Sequence, residues 1–175
     1  MTETLLQRAR AVRLLILDVD GVLTDGRLFL GDDGQQYKAF HSRDGHGIRL
    51  LLDSGVQMGI LTGRRSQVVE HRCRELGIPH IIQGRRDKRE ALDGLLEAAG
   101  VTAGEAAYMG DDILDLPVMR RVILGLAVAD AHPLVREQAH HVTGLGGGQG
   151  AVREACELIM DAQGTLQAAL APYLE

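Results

Sequence analysis

The sequence predicts an α/β fold in which a mostly parallel sheet is flanked by helices. Three observations carry that expectation. Short apolar runs alternate along the chain with stretches of helical period, the pattern of repeated β-α-β units. The first of these runs is apolar without a break from Leu14 to Leu17 rather than alternating, as strands buried on both faces are. Carboxylates and a threonine stand where several runs end, the edge at which open α/β sheets bind ligands.

Arg13–Asp18 is the first run and ends on a carboxylate. Arg27–Leu30 and Gln36–His41 flank the turn-rich Gly31-Asp32-Asp33-Gly34, so a small β-hairpin is expected within residues 26–41. From Gly45 to Ser54, Ile48, Leu51 and Leu52 recur at helical spacing until Gly55 stops them. Val56–Leu61 is the next strand, and Arg65–Leu76 is a helix closed by Gly77. His80–Ile82 is a short strand, and Asp87–Ala99 a helix with Leu92, Leu95 and Leu96 on one face. Ala106–Met109 and Val122–Val128 are strands, with Ile113–Arg120 helical between them. Pro133–Ala139 is a short helix, and Ala151–Ala162 a longer one with Val152, Ala155, Leu158 and Ile159 inward. Residues 164–175 are expected as a tail, and with neither repeat nor linker the chain is read as one domain over 1–175.

Composition narrows the function classes. Lys plus Arg number 19 against 24 for Asp plus Glu, a net charge of −5, which disfavours nucleic acid or an anionic membrane as partner. With no Trp, three Tyr and two Phe, a base-stacking platform is excluded as well. The longest apolar stretch, Val122–Ala129, is far short of the roughly 20 residues of a membrane span. Met1–Arg13 carries no apolar signal core, and Cys73 and Cys156 lie far apart in helical segments, where buried free thiols are expected. Cytoplasmic location follows as the expectation.

Asp18-Val19-Asp20-Gly21 sets two carboxylates at i and i+2, aimed to one side, where a strand gives way to a turn. Close carboxylates raise each other's cost of ionisation unless a cation lies between them. Asp111-Asp112, with Asp115 following, adds acidity at another strand end, and an oxygen-rich set of this kind suits Mg2+. Taken alone, Asp112 reads as a helix cap. Thr62-Gly63 offers a hydroxyl and free N–H groups for an anion, and Lys88 a charge at the start of a helix. The glycine cluster Gly144–Gly150 lacks the acid a dinucleotide site needs about 20 residues on, so a flexible connector is expected there.

Asp18-Val19-Asp20-Gly21-Val22-Leu23-Thr24-Asp25-Gly26, Ile60-Leu61-Thr62-Gly63-Arg64, Lys88 and Gly110-Asp111-Asp112-Ile113-Leu114-Asp115 together resemble the haloacid dehalogenase superfamily of phosphotransferases. Within it the chain is most similar to the 3-deoxy-D-manno-octulosonate 8-phosphate phosphatases. Residues 40–49, 115–119, 127–133 and 147–154 carry that closer match. The resemblance implies a Rossmann-like sheet and a Mg2+-dependent phosphomonoesterase that frees the sugar acid for lipopolysaccharide precursor synthesis. It implies Asp18 as nucleophile and Asp20 as acid and base, with the metal on Asp18, Asp111 and the Asp20 carbonyl. Thr62 and Lys88 would hold phosphate oxygens, and Asp112 and Asp115 would orient metal waters and Lys88. Gly63, Arg64, Arg72, Arg86 and His46 are the implied substrate contacts, Arg72 from an adjacent subunit.

The intervals from Asp20 to Thr62 and from Thr62 to Lys88 are filled by the predicted elements, leaving no room for a cap domain. Relatives without a cap assemble as tetramers, so a homotetramer with the hairpin at its interface is expected. Three alternatives remain open at this point. One is a nine-carbon ulosonate 9-phosphate as substrate, and another a non-catalytic oligomerisation module. The third, a phosphoaccepting receiver domain, fits poorly because Asp20 follows the acceptor.

Overall fold

In the computed structural model, which describes residues 2–85 and 87–174, the strands form two sheets. β1 (Leu14–Leu17), β4 (Gln57–Thr62), β5 (His80–Gln83), β6 (Ala106–Gly110), β7 (Leu124–Ala127) and β8 (His141–Val142) make one parallel sheet in the order β5-β4-β1-β6-β7-β8. β2 (Phe29–Leu30) and β3 (Gln36–Tyr37) pair antiparallel across Gly31–Gln35 as the expected hairpin.

The chain winds from β1 outward to β4 and β5, then returns to build β6, β7 and β8 on the other side. That reversal opens a crevice at the carboxyl end of β1. Register fixes what meets there. Leu17 pairs with Ile60 of β4 and with Met109 of β6, so Asp18, Thr62 and Asp111 all emerge from one edge. All four residues of β1 are buried, as are those of β6 and β7, which accounts for their unbroken apolar character.

Helices flank the sheet in two groups. α1 (Glu3–Arg10), α2 (Ser42–Asp53), α3 (Gln67–Leu76), α7 (Ala151–Ala162) and α8 (Leu166–Leu170) form one, and α4 (Lys88–Ala99) packs with α5 (Leu116–Met119) in the other. Along α4, Leu92 and Leu95 are almost fully buried, each contributing about 1.5–3 kcal/mol by leaving water. α3 and α4 end on Gly77 and Gly100, as their sequences predict. α6 (Pro133–Gln138) has proline at its first position, where no N–H is needed.

Several elements differ from expectation. The Ile113–Arg120 helix is split into a 3-10 turn, Ile113–Asp115, and a single turn of α5, because the Asp115 carboxylate bonds back to the preceding main chain. The N-terminal segment is a helix, capped by the Thr2 hydroxyl, with Leu5 and Ala9 buried. β8 is an added edge strand. The expected tail instead folds as α8 and a 3-10 turn over Ala171–Tyr173, with Leu166, Ala169 and Leu170 packed on the core.

The glycine cluster is a clasp rather than a flexible connector. The Gly148 N–H donates to the Val22 carbonyl at 2.9 Å, and the Gly147 N–H to Asp130 Oδ1 at 2.9 Å. A Cβ at Gly147 would overlap the Gly21 carbonyl and come within 2.9 Å of the Thr24 carbonyl oxygen, so only glycine lets the two backbones meet. Behind it, buried Asp44 accepts from the Gly150 and Arg153 N–H groups at 3.3 and 2.8 Å and caps α7. Among the described residues no helix is long and apolar enough to cross a membrane. Cys73 and Cys156 are buried free thiols.

Candidate active site

The Asp18 main-chain N–H donates to the Met109 carbonyl at 3.1 Å, extending the β1–β6 ladder by one residue and holding the side chain at the sheet edge. One Asp18 oxygen accepts the Val19 N–H at 2.7 Å, and the other lies 2.8 Å from Lys88 Nζ. Lys88 is the first residue of α4, whose start is fixed by the Asp87 side chain accepting the Arg89 N–H at 3.0 Å. Its ammonium is buried and divides itself among Asp18, Asp115 Oδ1 at 2.6 Å and the Tyr108 hydroxyl at 3.1 Å.

Tyr108 in turn donates to Asp115 Oδ1 at 2.6 Å. The second Asp115 oxygen accepts the N–H groups of Asp111 and Asp112 at 2.9 and 3.2 Å. Asp18, Asp111 and Asp115 have carboxylate oxygens within 4.8 Å of one another, spacing that admits a cation. Asp115 is the most heavily bonded of the three, with two donors on each oxygen, so it is suited to hold Lys88 and the Asp111 turn. Asp18 accepts one N–H and faces Lys88, and among the described residues no hydrogen bond reaches the Asp111 carboxylate, so these two are the freer to take a cation.

Electrostatics point the same way. Burial first, then the nearby Asp115 charge, against the opposing pull of Lys88, pushes Asp18 up to about 6. Burial and then the charges of Asp115, Asp18 and Asp112 push Asp111 up to about 7. For Lys88, burial disfavours the ammonium, yet Asp18 and Asp115 outweigh it and its pKa is raised. The single ammonium leaves this cluster of carboxylates under-neutralised, which is the donor chemistry a hard divalent cation requires. Gly21 makes room for it: at φ +90, a Cβ there would fall on the Asp111 carboxylate.

Asp18, Asp20, Thr62, Gly63, Arg64, Lys88, Asp111 and Asp112 line one cleft of about 390 Å3, with Leu28 and Leu114 as its apolar rim. Thr62 is buried at the end of β4. Asp112 is exposed and accepts the Ile113 N–H at 2.7 Å, so it also caps the 3-10 turn. Arg64 Nε approaches Asp20 Oδ2 at 3.9 Å.

The remaining expected contacts stand elsewhere. Arg72, on α3, bonds Glu75 at 2.9 Å and lies over the Phe40 ring at 5.8 Å, outside the cleft of its own chain. His46, on α2, meets the Tyr173 ring edge-on at 5.2 Å between centroids, so within one chain it packs against the C-terminal turn and not against the cleft. The reason is helical phase: His46 is exposed on α2 while neighbouring Gly45 and Gly47 are buried. Arg86 lies outside the described residues.

Two residues were not singled out from the sequence. Lys38 of the hairpin pairs with Asp20 Oδ1, its side chain almost wholly shielded from solvent. No sequence signal marks it: half-buried Gln36, Lys38 and Phe40 alternate in the fold with exposed Gln35, Tyr37 and Ala39, a phase that the residue types do not announce. Tyr108 was legible as the one hydroxyl in an otherwise apolar buried strand, which must find a partner.

Comparisons with known proteins give the family. A model of the haloacid dehalogenase-like hydrolase family matches residues 76–152. The 3-deoxy-D-manno-octulosonate 8-phosphate phosphatase KdsC of Escherichia coli K12 is 51% identical over 162 residues, covering 93% of this chain and 86% of that protein. The crystal structure of the Yersinia pestis phosphatase of the same name has a TM-score of 0.93 at 48% identity, covering 95% of this chain and 90% of that one. The Moraxella catarrhalis phosphatase, solved with magnesium ion, phosphate ion and KDO, has a TM-score of 0.96 at 40% identity, covering 99% of both chains.

Proposed function

Because the chain belongs to the 3-deoxy-D-manno-octulosonate 8-phosphate phosphatases of the haloacid dehalogenase-like hydrolases, and so is a phosphomonoesterase, we propose that it hydrolyses that eight-carbon ester to the free sugar acid and phosphate. The observation that carries this reading is the convergence of Asp18, Asp20, Thr62, Lys88 and Asp111 on one cleft. A non-catalytic module has no use for a fully assembled, under-neutralised carboxylate cluster of this kind.

In this reading the Asp18 carboxylate attacks phosphorus and carries the phosphoryl group as an aspartyl phosphate. Asp18, Asp111 and the Asp20 main-chain carbonyl would hold Mg2+, which when bound would supply neutralisation of the phosphate charge. Thr62, Gly63 and Lys88 hold those oxygens, and Asp115 with Tyr108 keeps Lys88 in place. The Asp20 carboxyl protonates the departing sugar oxygen and later takes a proton from the water that releases phosphate. Asp112 would orient water around a bound cation. Arg64, on the cleft wall, is placed for the sugar-acid carboxylate, which a guanidinium fork recognises well.

We further propose that the chain acts as one domain and assembles as a homotetramer through its hairpin. Leu28, Phe29, Leu30 and Tyr37 are 44%, 49%, 65% and 61% exposed there, an apolar surface beside the cleft mouth that a second copy would cover. Arg72, beside Phe40 near the hairpin, would then serve a neighbouring cleft. The product supplies lipopolysaccharide precursor synthesis, and two buried free thiols suit the reducing cytoplasm.

Phosphate release from a panel of sugar phosphates, with Mg2+ and with chelator, tests the reading. Clear preference for the octulosonate ester, lost on chelation, is expected. Preference for a nine-carbon ulosonate 9-phosphate would reassign the substrate. Failure to release phosphate from any ester would overturn the assignment.

A further inference from the structure

The Asp20 side chain is held differently from its neighbours. Asp18 accepts its own Val19 N–H, and Asp115 is fixed by four donors. Among the described residues, the one hydrogen bond to the Asp20 carboxylate comes from Lys38, eighteen residues on and across the hairpin. Arg64 faces the other oxygen at 3.9 Å, too far for a hydrogen bond. The aim of this carboxyl is therefore set from the hairpin rather than from the turn after β1 that carries it.

Lys38 is unusual for a hairpin lysine. Its side chain is 3% exposed, although β2 and β3 around it are largely in solvent. Burying an ammonium is costly unless it is paired, and Asp20 is its partner. We propose that Lys38 is a positioning residue for proton transfer in the reaction put forward above, on which this inference rests. It aims the Asp20 carboxyl at the bridging ester oxygen. In this step Asp20 is in its acid form, Oδ1 accepting from Lys38 and the proton on Oδ2; as the bond from an Asp18 oxygen to phosphorus forms and the bond from phosphorus to the sugar oxygen breaks, that proton passes to the sugar oxygen. The carboxylate left behind then lies against the Lys38 ammonium.

A role in aiming the proton donor separates from a role in tying down the hairpin by its dependence on the leaving group. A sugar alkoxide needs the proton, whereas p-nitrophenolate leaves without it. The constant kcat/KM covers only the steps up to the aspartyl phosphate, so the later water attack, common to both esters, does not enter. The test compares wild type, Lys38→Met and Lys38→Arg on 3-deoxy-D-manno-octulosonate 8-phosphate and on p-nitrophenyl phosphate. The Met variant should lose roughly 100-fold in kcat/KM on the sugar ester, within the range of general-acid contributions, and less than about threefold on the aryl ester. The Arg variant should recover most of the sugar-ester loss. If the Met variant does not fold, Lys38→Gln, shorter and uncharged, supplies the same ratio. Equal losses on both esters, or an unchanged sugar-ester rate, would overturn the proposal. Wild-type turnover of both esters, abolished in Asp18→Asn, secures the underlying reading independently, so an unchanged ratio counts against Lys38 alone.

Discussion

Lys88 Nζ stands 2.8 Å from an oxygen of Asp18 and 2.6 Å from Asp115, one buried ammonium shared by a carboxylate at the end of β1 and one in the 3-10 turn after β6. Removing it has two consequences. Lys88→Met should lower kcat by about 100-fold or more, because a charge aimed at the transferring phosphate is lost. It should also destabilise the metal-free protein by roughly 3–5 kcal/mol near pH 8, since two buried carboxylates lose their cation. Steady-state kinetics and denaturant unfolding of the purified variant check both.

The same cluster fixes a pH dependence. Burial, ahead of the surrounding carboxylates, raises Asp18 from 3.8 to about 6 and Asp111 from 3.8 to about 7 in the folded chain. A carboxyl whose folded pKa lies above its unfolded value binds its proton more tightly when folded. Its contribution is fully present below about pH 4 and is lost as pH rises through about 7. Calorimetry in chelator should therefore show a lower thermal midpoint at pH 8 than at pH 5. Saturating Mg2+ should recover most of the difference at pH 8. A midpoint independent of both would contradict the electrostatic picture.

Much of this fold was legible because its signals are local. The unbroken apolar runs of β1, β6 and β7, and the glycines that close α3 and α4, announce themselves within a few residues. The carboxylates and threonine of the cleft were legible for the same reason, each standing at a run's end. What was missed depends on partners distant in sequence. α1 buries only Leu5 and Ala9, too few positions to mark a period amid its arginines and glutamine, and docks beside α7. β8 is two half-buried residues that form a strand only by pairing with β7. Tyr108 with Asp115, Lys38 with Asp20, and Asp44 with the start of α7 are joined by folding alone. His46 stands outside the cleft of its own chain because it lies on the exposed side of α2, a phase set by how that helix packs.

The glycine clasp gives a stability prediction with an internal control. Gly147→Ala forces a Cβ into the Gly21 carbonyl and should cost about 2–3 kcal/mol, with weakened Mg2+ binding, because the displaced loop carries Asp20. Gly94, inside α4 and with nothing near its missing Cβ, should instead gain up to about 1 kcal/mol on Gly94→Ala. Denaturant unfolding and Mg2+ titration calorimetry separate the two.

The hairpin carries the proposed assembly. Phe29→Glu and Leu30→Glu place charge on two of its exposed apolar positions and should convert a tetramer to smaller species in light scattering, with activity falling in step. A wild-type chain that is monodisperse, monomeric and fully active would remove the assembly from the account.

The most direct test is acid-quench trapping of the phosphorylated protein during turnover, with the modified peptide located by mass spectrometry. The account predicts one phosphoryl group on the peptide bearing Asp18, absent in chelator and absent from a folded, inactive Asp18→Asn variant. A phosphoryl group on another side chain, or turnover that persists in the Asn variant, would contradict it.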